Sequence, residues 1–211
     1  MKKMDIIYED KHLLVINKPS KLLTISDGKC DYTLYSMAYD YVKRQHKKNK
    51  IFIVHRLDRD TSGVVVFAKD EKTKLYLQNN WNDITKREYI AVLEGKLKNK
   101  LGILKDYLYE DRNHFVHVSN DKTGDLAITK YKVLKYTDNN TIVSVNIKTG
   151  KKNQIRVSFA NIGYPILGDK KYGNKNTRLF LHANRLLLMF NNKEYIFEAK
   201  LPIEFNKFID K

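Results

Sequence analysis

Apolar residues follow two different periods along this chain. Near the start, two short apolar runs predict strands over 6–8 and 13–16. A stripe that repeats every three to four residues then predicts a helix with Asp31 as its N-cap, and Asp70 is expected to cap a second helix that reaches about Trp81. The first part of the chain is therefore predicted to combine strands with two amphipathic helices.

Beyond residue 85 the apolar pattern becomes strand-like. Segments rich in β-formers and separated by turn residues predict strands over 87–93, 101–108, 114–118, 127–136, 141–148, 178–190 and 195–199. One further helix is expected between Asn153, as its N-cap, and Gly163. Because strands arrive in runs, the pattern favours an α+β fold with a mixed, mainly antiparallel sheet flanked by helices. No proline cluster marks a linker, so one continuous domain over 1–211 is expected.

The chain carries a large excess of positive charge. It has 40 Lys and Arg against 24 Asp and Glu, a formal net charge of +16, which favours a polyanionic partner, either nucleic acid or an anionic membrane surface. No apolar run approaches the roughly 18 residues of a membrane-spanning helix, and charged residues interrupt any signal-peptide core at the N-terminus. Nucleic acid is therefore the favoured partner. The basic run 43–50 is interpreted as a solvated helix end in preference to an RNA contact.

Residues suited to disulfides or metals are few. Cys30 is the single cysteine, which excludes an internal disulfide and a multi-cysteine zinc site and is typical of a protein in the reducing cytoplasm. His114 and His117 have a spacing seen in metal sites, but residues three apart on a strand face opposite sides, and the sequence offers no third ligand nearby. No metal is therefore expected.

One loop concentrates residues suited to chemistry. The run His55-Arg56-Leu57-Asp58-Arg59-Asp60-Thr61-Ser62-Gly63 lies between apolar segments at 51–54 and 64–68. Three side chains that are cationic or can become so surround the Asp58 carboxylate in sequence, and a loop between two strands presents such groups rather than packing them. Only eight of the 40 cationic residues are Arg. Their planar forks grip carboxylates, phosphates and base edges bidentately, so the two in this loop indicate recognition.

Three segments together resemble the signatures of the RluA-type pseudouridine synthases. The loop at 55–63 resembles the HRLDxxTSG motif, the segment at 87–95 resembles KxYxAxxxG, and 150–157 with 162–173 resembles the GRxHQIRVH and GxPIxGDxxYG stretch. Leu181-His182-Ala183 adds the LHA element. Motifs in family order and at family-like spacing are a strong signal. The resemblance implies a pseudouridine synthase fold around a basic active-site cleft, and isomerisation of a specific uridine in structured RNA.

The resemblance also implies roles for four residues. Asp58 corresponds to the catalytic carboxylate, which either attacks the sugar or base covalently or removes a sugar proton. Arg156 corresponds to the family's residue that pairs with this carboxylate, and Tyr89 to the aromatic residue against the target uracil. Arg56 corresponds to the Arg that fills the space left by the extruded uridine and contacts phosphate. Extrusion from a helix costs a few kcal/mol. The isomerisation changes no oxidation state and gains no group, so no cofactor is expected.

The chain departs from the family pattern locally. Arg87, Lys151, Asn153 and Ser158 replace the family's usual residues, which leaves the hydrogen bonds around the third segment open. No S4-type RNA-binding domain is recognised, so target selection is expected from this domain's own surface, with a monomer as the expected state.

Several alternatives remain open. Ribosomal RNA is the expected substrate, and transfer RNA is the alternative. A non-catalytic RNA-binding protein would explain the charge, but the presence of Asp58 argues against it. A nucleoside hydrolase would also place an Asp near a sugar, but it would need a positioned water and a metal or second carboxylate, for which Asp60 is the nearby residue.

Overall fold

The computed structural model describes residues 4–174 and 178–209. The chain separates into two compact units. The first comprises the residues up to Thr85 together with Ala183–Lys200, and the second comprises Lys86–His182 together with the residues from Leu201 onward. Each unit has a cluster of buried apolar side chains of its own. The expectation of one continuous domain stays a prediction.

Strands outnumber helices along the described residues. In chain order the elements are β1 (Ile6–Glu9), β2 (Leu13–Lys18), α1 (Leu34–Gln45), β3 (Phe52–Ile53), β4 (Ser62–Ala68), α2 (Glu71–Ile84), β5 (Thr85–Glu94), β6 (Leu101–Glu110), β7 (Val116–Val118), β8 (Asp125–Tyr136), β9 (Asn140–Ile147), α3 (Gln154–Asn161), β10 (Leu181–Phe190), β11 (Lys193–Glu198), a 3-10 turn (Ile203–Phe205) and α4 (Asn206–Ile209).

The first unit is built on a strand that is buried along its whole length. Strand β4 pairs antiparallel with β2 from Ala68 opposite Leu13 to Gly63 opposite Lys18. Strand β1 extends the sheet beyond β2, β3 also pairs with β4, and β10 lies next to β4 and carries β11. Helix α2 contributes Trp81 to the core beneath these strands. The continuous apolar run of β4 follows from this burial, because both of its faces pack against other elements.

The second unit contains an antiparallel sheet in the order β5-β9-β8-β6-β7. Val92 and Ile142 of this sheet pack with Phe180, Phe205 and Phe208, so the C-terminal turn and α4 cover part of the sheet. A second cluster of buried apolar side chains packs α3 against strands β6, β7 and β8 of the sheet. The α+β class and the mainly antiparallel pairing are thus confirmed.

Two helix starts differ from the sequence prediction. Helix α1 is capped by Thr33 rather than by Asp31, because the Thr33 hydroxyl accepts from the Ser36 backbone N–H while the Ser36 hydroxyl accepts from the Thr33 N–H. Asn153 stands at the N-cap position of α3, but it is left-handed, with φ of 53°, and its side chain makes no cap hydrogen bond. Asp70 does cap α2, as expected.

Helix α2 continues to Ile84, three residues past the expected end. Within residues 4–174 and 178–209, no helix combines the length and the apolar character needed to cross a membrane.

Candidate active site

The loop at 55–63, which carries the predicted catalytic motif, joins β3 to β4 in the first unit. Leu57 is buried, Asp58 is partly exposed, and Arg56 and Arg59 are exposed. A turn hydrogen bond of 3.2 Å from the Thr61 N–H to the Asp58 carbonyl oxygen closes the loop around the carboxylate residue. Leu57 therefore fixes the loop on the core, while its neighbours present charged groups towards solvent.

A second segment, residues 18–24, holds this loop by its backbone, and we call it the clamp segment. The Thr24 hydroxyl donates to the Leu57 carbonyl oxygen at 2.8 Å and accepts from the Leu57 N–H at 3.2 Å. The Ser20 hydroxyl donates to the Asp60 carbonyl oxygen at 2.7 Å. Backbone groups on both sides of Asp58 are thus held by side chains of the clamp segment, which restricts the positions that the carboxylate can adopt.

Lys18 is the most deeply buried member of the clamp segment, with none of its surface exposed. Its Nζ donates to the carbonyl oxygens of Leu22 at 2.7 Å and of Pro19 and Arg59 at 3.0 Å each. A buried ammonium group is costly unless hydrogen bonds replace its hydration, and these three carbonyls do so. Nothing in the sequence alone singles out Lys18 for this role.

Replacing Lys18 with Met should therefore destabilise the loop at 55–63. The variant keeps an unbranched side chain but leaves three carbonyl oxygens without this donor, so we expect the free energy of unfolding to fall by roughly 3 kcal/mol. Urea denaturation measures the change. Lys72→Met is the matched control, because Lys72 is exposed on α2 and its replacement should change stability by no more than about 0.5 kcal/mol. A Lys18→Met loss as small as that of the control would contradict the clamp.

His55 is held as a hydrogen-bond acceptor. Its Nε2 accepts the Val66 backbone N–H at 3.0 Å, and its ring stacks on Trp81 with the centroids 4.4 Å apart. An imidazole nitrogen that accepts carries no proton, so this bond requires the ring to be neutral. From its place in the sequence, His55 is a potentially cationic neighbour of Asp58. In the structure His55 fastens the loop to β4 instead of adding charge.

Tyr89 and Arg87 lie on β5 of the second unit, and both are nearly buried. Tyr89 is 8% exposed and stands opposite Val145 of β9. The Arg87 Nη2 donates to the Lys148 carbonyl oxygen at 3.0 Å. Burial lowers the pKa of the Arg87 guanidinium. Arg87, which stands where the family pattern has Lys, thus ties β5 to the end of β9.

Arg156 of α3 forms a bidentate ion pair with Asp169. The Arg156 Nε lies 2.7 Å from Asp169 Oδ2, and its Nη2 lies 2.7 Å from Asp169 Oδ1. Arg156 is 8% exposed and Asp169 is fully buried. Asp169 Oδ1 also accepts the backbone N–H groups of Lys171 and Tyr172. This arrangement orients the guanidinium rigidly, and it uses two of its five N–H donors.

Two departures from the family pattern have structural partners. Ser158 is buried, and its hydroxyl donates to a carboxylate oxygen of Asp106 on β6. The Asn153 side-chain oxygen accepts from the Tyr172 hydroxyl at 3.4 Å. Both positions therefore hold α3 through polar contacts within the second unit.

The two histidines near β7 each pair with a different carboxylate. His114 Nδ1 lies 2.7 Å from Glu110 Oε1, and His117 Nε2 lies 2.9 Å from Asp111 Oδ2. These hydrogen bonds with His117 and with the Phe115 backbone help to lower the pKa of Asp111. The histidines are thus members of two separate pairs. Acidic neighbours are therefore present, contrary to the expectation from the sequence, and His114 lies outside β7, so the two histidines do not share a strand.

The predicted site residues are distributed over the two units. Asp58 and Arg56 share one loop of the first unit, whereas Tyr89 and Arg156 belong to the second. The expected ion pair between Arg156 and Asp58 stays a prediction. Asp169 was not predicted as the partner of Arg156, although the GxPIxGDxxYG resemblance contains it, because a motif alone does not say which carboxylate an Arg contacts.

Known proteins resemble this chain over most of its length. Residues 12–161 match the family described as RNA pseudouridylate synthase. The chain is 36% identical to the ribosomal large subunit pseudouridine synthase C of Rickettsia prowazekii, over 96% of this chain and 69% of that protein. It is 34% identical to the uncharacterized RNA pseudouridine synthase YhcT of Bacillus subtilis, over 94% and 68% of the two chains. The solved structure of human RNA pseudouridylate synthase domain containing 4 is similar, with a TM-score of 0.80 and 25% sequence identity. The match covers 95% of this chain and 90% of that chain.

Proposed function

Because this chain belongs to the RluA-type family of RNA pseudouridylate synthases, we propose that it converts a uridine of large-subunit ribosomal RNA to pseudouridine with Asp58 as the acting carboxylate. The family isomerises uridine to pseudouridine in RNA. Ribosomal RNA is favoured over transfer RNA because the Rickettsia relative is named for the large ribosomal subunit.

The observation that carries this proposal is the backbone support around Asp58. Hydrogen bonds from Thr24, Lys18 and Ser20 reach the carbonyl oxygens of Leu57, Arg59 and Asp60. A reacting group gains most when it is held in its productive geometry before substrate arrives. A loop that merely turned between strands would not need three side chains from one segment to hold consecutive parts of it.

The reaction can be written with this carboxylate alone. The bond from uracil N1 to ribose C1′ breaks, the base turns, and C5 bonds to C1′; C5 then loses its proton and N1 gains one. Asp58 either attacks covalently or removes a sugar proton and returns it, and both routes require the ionised form. Atoms and electrons balance within the uridine, so the step consumes no oxidant or reductant.

The same proposal assigns the remaining residues. Tyr89 provides an aromatic face for the uracil, which is worth roughly 1 to 3 kcal/mol in stacking. Arg56, which is exposed, contacts phosphate near the extruded nucleotide. Arg156 is proposed to orient the Asp58 carboxylate through donors that Asp169 does not use. We further propose that the enzyme acts as a monomer in the cytoplasm.

Tritium release tests the activity and the substrate together. Ribosomal and transfer RNA labelled at uridine C5 are incubated separately with the protein, because only bond formation at C5 releases that label as water. We expect release from large-subunit ribosomal RNA without free uracil. Free uracil would indicate a hydrolase, release from transfer RNA alone would reassign the substrate, and tight binding of both RNAs without release would indicate a binding protein.

A further inference from the structure

A cavity of about 330 Å³ lies in the first unit, beside the start of α2. Its lining includes four lysines, Lys11, Lys48, Lys50 and Lys69, together with Phe52. The volume is at the lower end of the range, roughly 300 to 1,000 Å³, of sites that bind small organic groups. None of the side chains assigned above to the reaction lines it.

The lysines converge on the cavity from separate parts of the chain. Lys11 belongs to the turn between β1 and β2, Lys48 and Lys50 follow α1, and Lys69 follows β4. The sequence alone favoured a solvated helix end for the run that contains Lys48 and Lys50. In the structure these two lysines lie beside lysines from two other segments, which the sequence of the run does not reveal. This arrangement favours a site that binds negatively charged groups.

Three of these lysines are available to a ligand. Lys69 is paired with Glu9, its Nζ lying 2.7 Å from the carboxylate. Lys11, Lys48 and Lys50 are exposed, and within the described residues no carboxylate lies in ion-pair distance of their amino groups. An unpaired lysine on a rim keeps its full attraction for a phosphate.

The two carboxylates of the lining do not cancel this attraction. Asp70 is already engaged, since it accepts from the Thr73 N–H at 2.8 Å and from the Thr73 hydroxyl at 2.7 Å, and it lies 2.9 Å from His12 Nδ1. Glu71 is exposed in the first turn of α2, where the helix dipole compensates part of its charge. The three unpaired lysines therefore face one engaged and one exposed carboxylate.

Phe52 is the aromatic residue among those that line the cavity. Its ring is partly buried against the core of the first unit, which fixes its orientation, and Lys74 Nζ lies 5.9 Å from the ring centroid. Rings beside lysines are the combination by which proteins bind unpaired nucleotides, because the base stacks while the phosphates bind the cations. An acidic peptide would use the lysines but would have no need of the ring.

Strand β3 connects this cavity to the catalytic loop. Phe52 lies six residues before Asp58 in the chain, so the two Cα atoms are at most about 21 Å apart, the reach of six extended residues. One RNA strand can span this distance, since phosphates along a strand repeat every few ångströms.

We propose that this cavity binds an unpaired nucleotide of the RNA substrate, with its base against Phe52 and its neighbouring phosphates at Lys11, Lys48 and Lys50. The proposal rests on the proposed function, because it takes RNA as the substrate. It gives the enzyme a second contact on the RNA, outside the target uridine, and thereby a means to select a structured site.

The test compares two triple variants that lose the same charge. The cavity variant is Lys11→Gln with Lys48→Gln and Lys50→Gln; the control is Lys96→Gln with Lys98→Gln and Lys100→Gln, three exposed lysines between β5 and β6. Affinity for a large-subunit ribosomal RNA fragment is measured by fluorescence anisotropy over a range of salt concentrations. We expect the cavity variant to bind at least tenfold more weakly and its log-log salt slope to fall by about 2, since each single-strand phosphate contact contributes about 0.7. The control should keep wild-type affinity and slope.

Phe52→Leu tests the stacking separately. It preserves an apolar side chain at the core but removes the ring, so affinity should fall roughly fivefold or more with an unchanged salt slope. Equal losses in the two triple variants would overturn the proposal, because general charge would then explain the binding. An unaltered salt slope in the cavity variant would also overturn the proposal. The same holds if the cavity variant loses binding to anionic vesicles but keeps its RNA affinity. Affinity is read without catalysis, so a wild-type protein that binds but does not isomerise refutes only the proposed function.

Discussion

Asp58→Asn should abolish pseudouridine formation while leaving the fold and the RNA affinity intact. The amide has nearly the same volume as the carboxylate but neither its negative charge nor its basicity, so it can neither attack nor remove a proton. Loss of an essential catalytic group lowers rates by roughly 10⁴-fold or more. Because the loop is held through its backbone by the clamp segment, the substitution should not release it. Single-turnover tritium release at saturating enzyme measures the rate.

Asp60→Asn is the matched control for this prediction. Asp60 lies in the same loop, is similarly half-buried and supplies its carbonyl oxygen to Ser20, an interaction that the substitution leaves in place. Its rate should stay within a few-fold of wild type. If Asp58→Asn keeps more than about a hundredth of the wild-type rate, Asp58 is not the catalytic carboxylate. The loss of rate would then be far smaller than the loss expected for an essential catalytic group. A larger effect at Asp60 than at Asp58 would exchange the two assignments.

Arg156→Met should be the most destabilising single change near the motif residues. It leaves the fully buried Asp169 carboxylate without its bidentate partner, and breaking a buried ion pair in this way costs about 3 to 5 kcal/mol. The two backbone N–H groups that also bind Asp169 Oδ1 soften the loss without removing it. Urea denaturation gives the free energy of unfolding, and a decrease in activity should accompany it.

A double variant distinguishes the ion pair from simple loss of packing. In Arg156→Met with Asp169→Asn, the amide oxygen still accepts the backbone N–H groups, but no buried charge remains. We expect the double variant to be more stable than Arg156→Met alone by 1 kcal/mol or more, a coupling that residues in direct contact show. Strictly additive losses would mean that the two side chains do not stabilise each other. The stability of Arg156→Lys should lie between those of the wild type and Arg156→Met, because Lys retains the positive charge but not the planar fork of the guanidinium.

Strand positions could be predicted well because their signal is local. The segments of β6, β8 and β9 alternate or are rich in β-formers, and their boundaries in the structure lie within about two residues of the predicted ones. Strand β7 is shorter than expected, because its first predicted residue, His114, has φ of 60° and cannot join a strand. The resemblance of the motifs likewise identified the family without any structure.

Cap positions and ion-pair partners could not be predicted in the same way. Asp31 and Thr33 are both good N-caps, and only the reciprocal bond with Ser36 decides between them. Asn153 is equally suited to a cap and to a left-handed residue, and the structure uses the second property. The partners of Lys18 are carbonyl groups, which every residue possesses, so no residue type announces them. Such choices depend on contacts between segments that are distant in sequence.

The approach of two strands at Gly63 limits how this chain can vary. Gly63 has φ of 119°, and a Cβ atom placed there would lie 2.1 Å from the Ala183 carbonyl oxygen on β10, far inside contact distance. Any side chain at residue 63 would push β10 away from the strand that leaves the catalytic loop, and a compensating change at Ala183 cannot help, because the obstacle is a backbone oxygen. The catalytic motif and the Leu-His-Ala motif, 120 residues apart in sequence, are therefore tied at one backbone position that no second substitution can relieve.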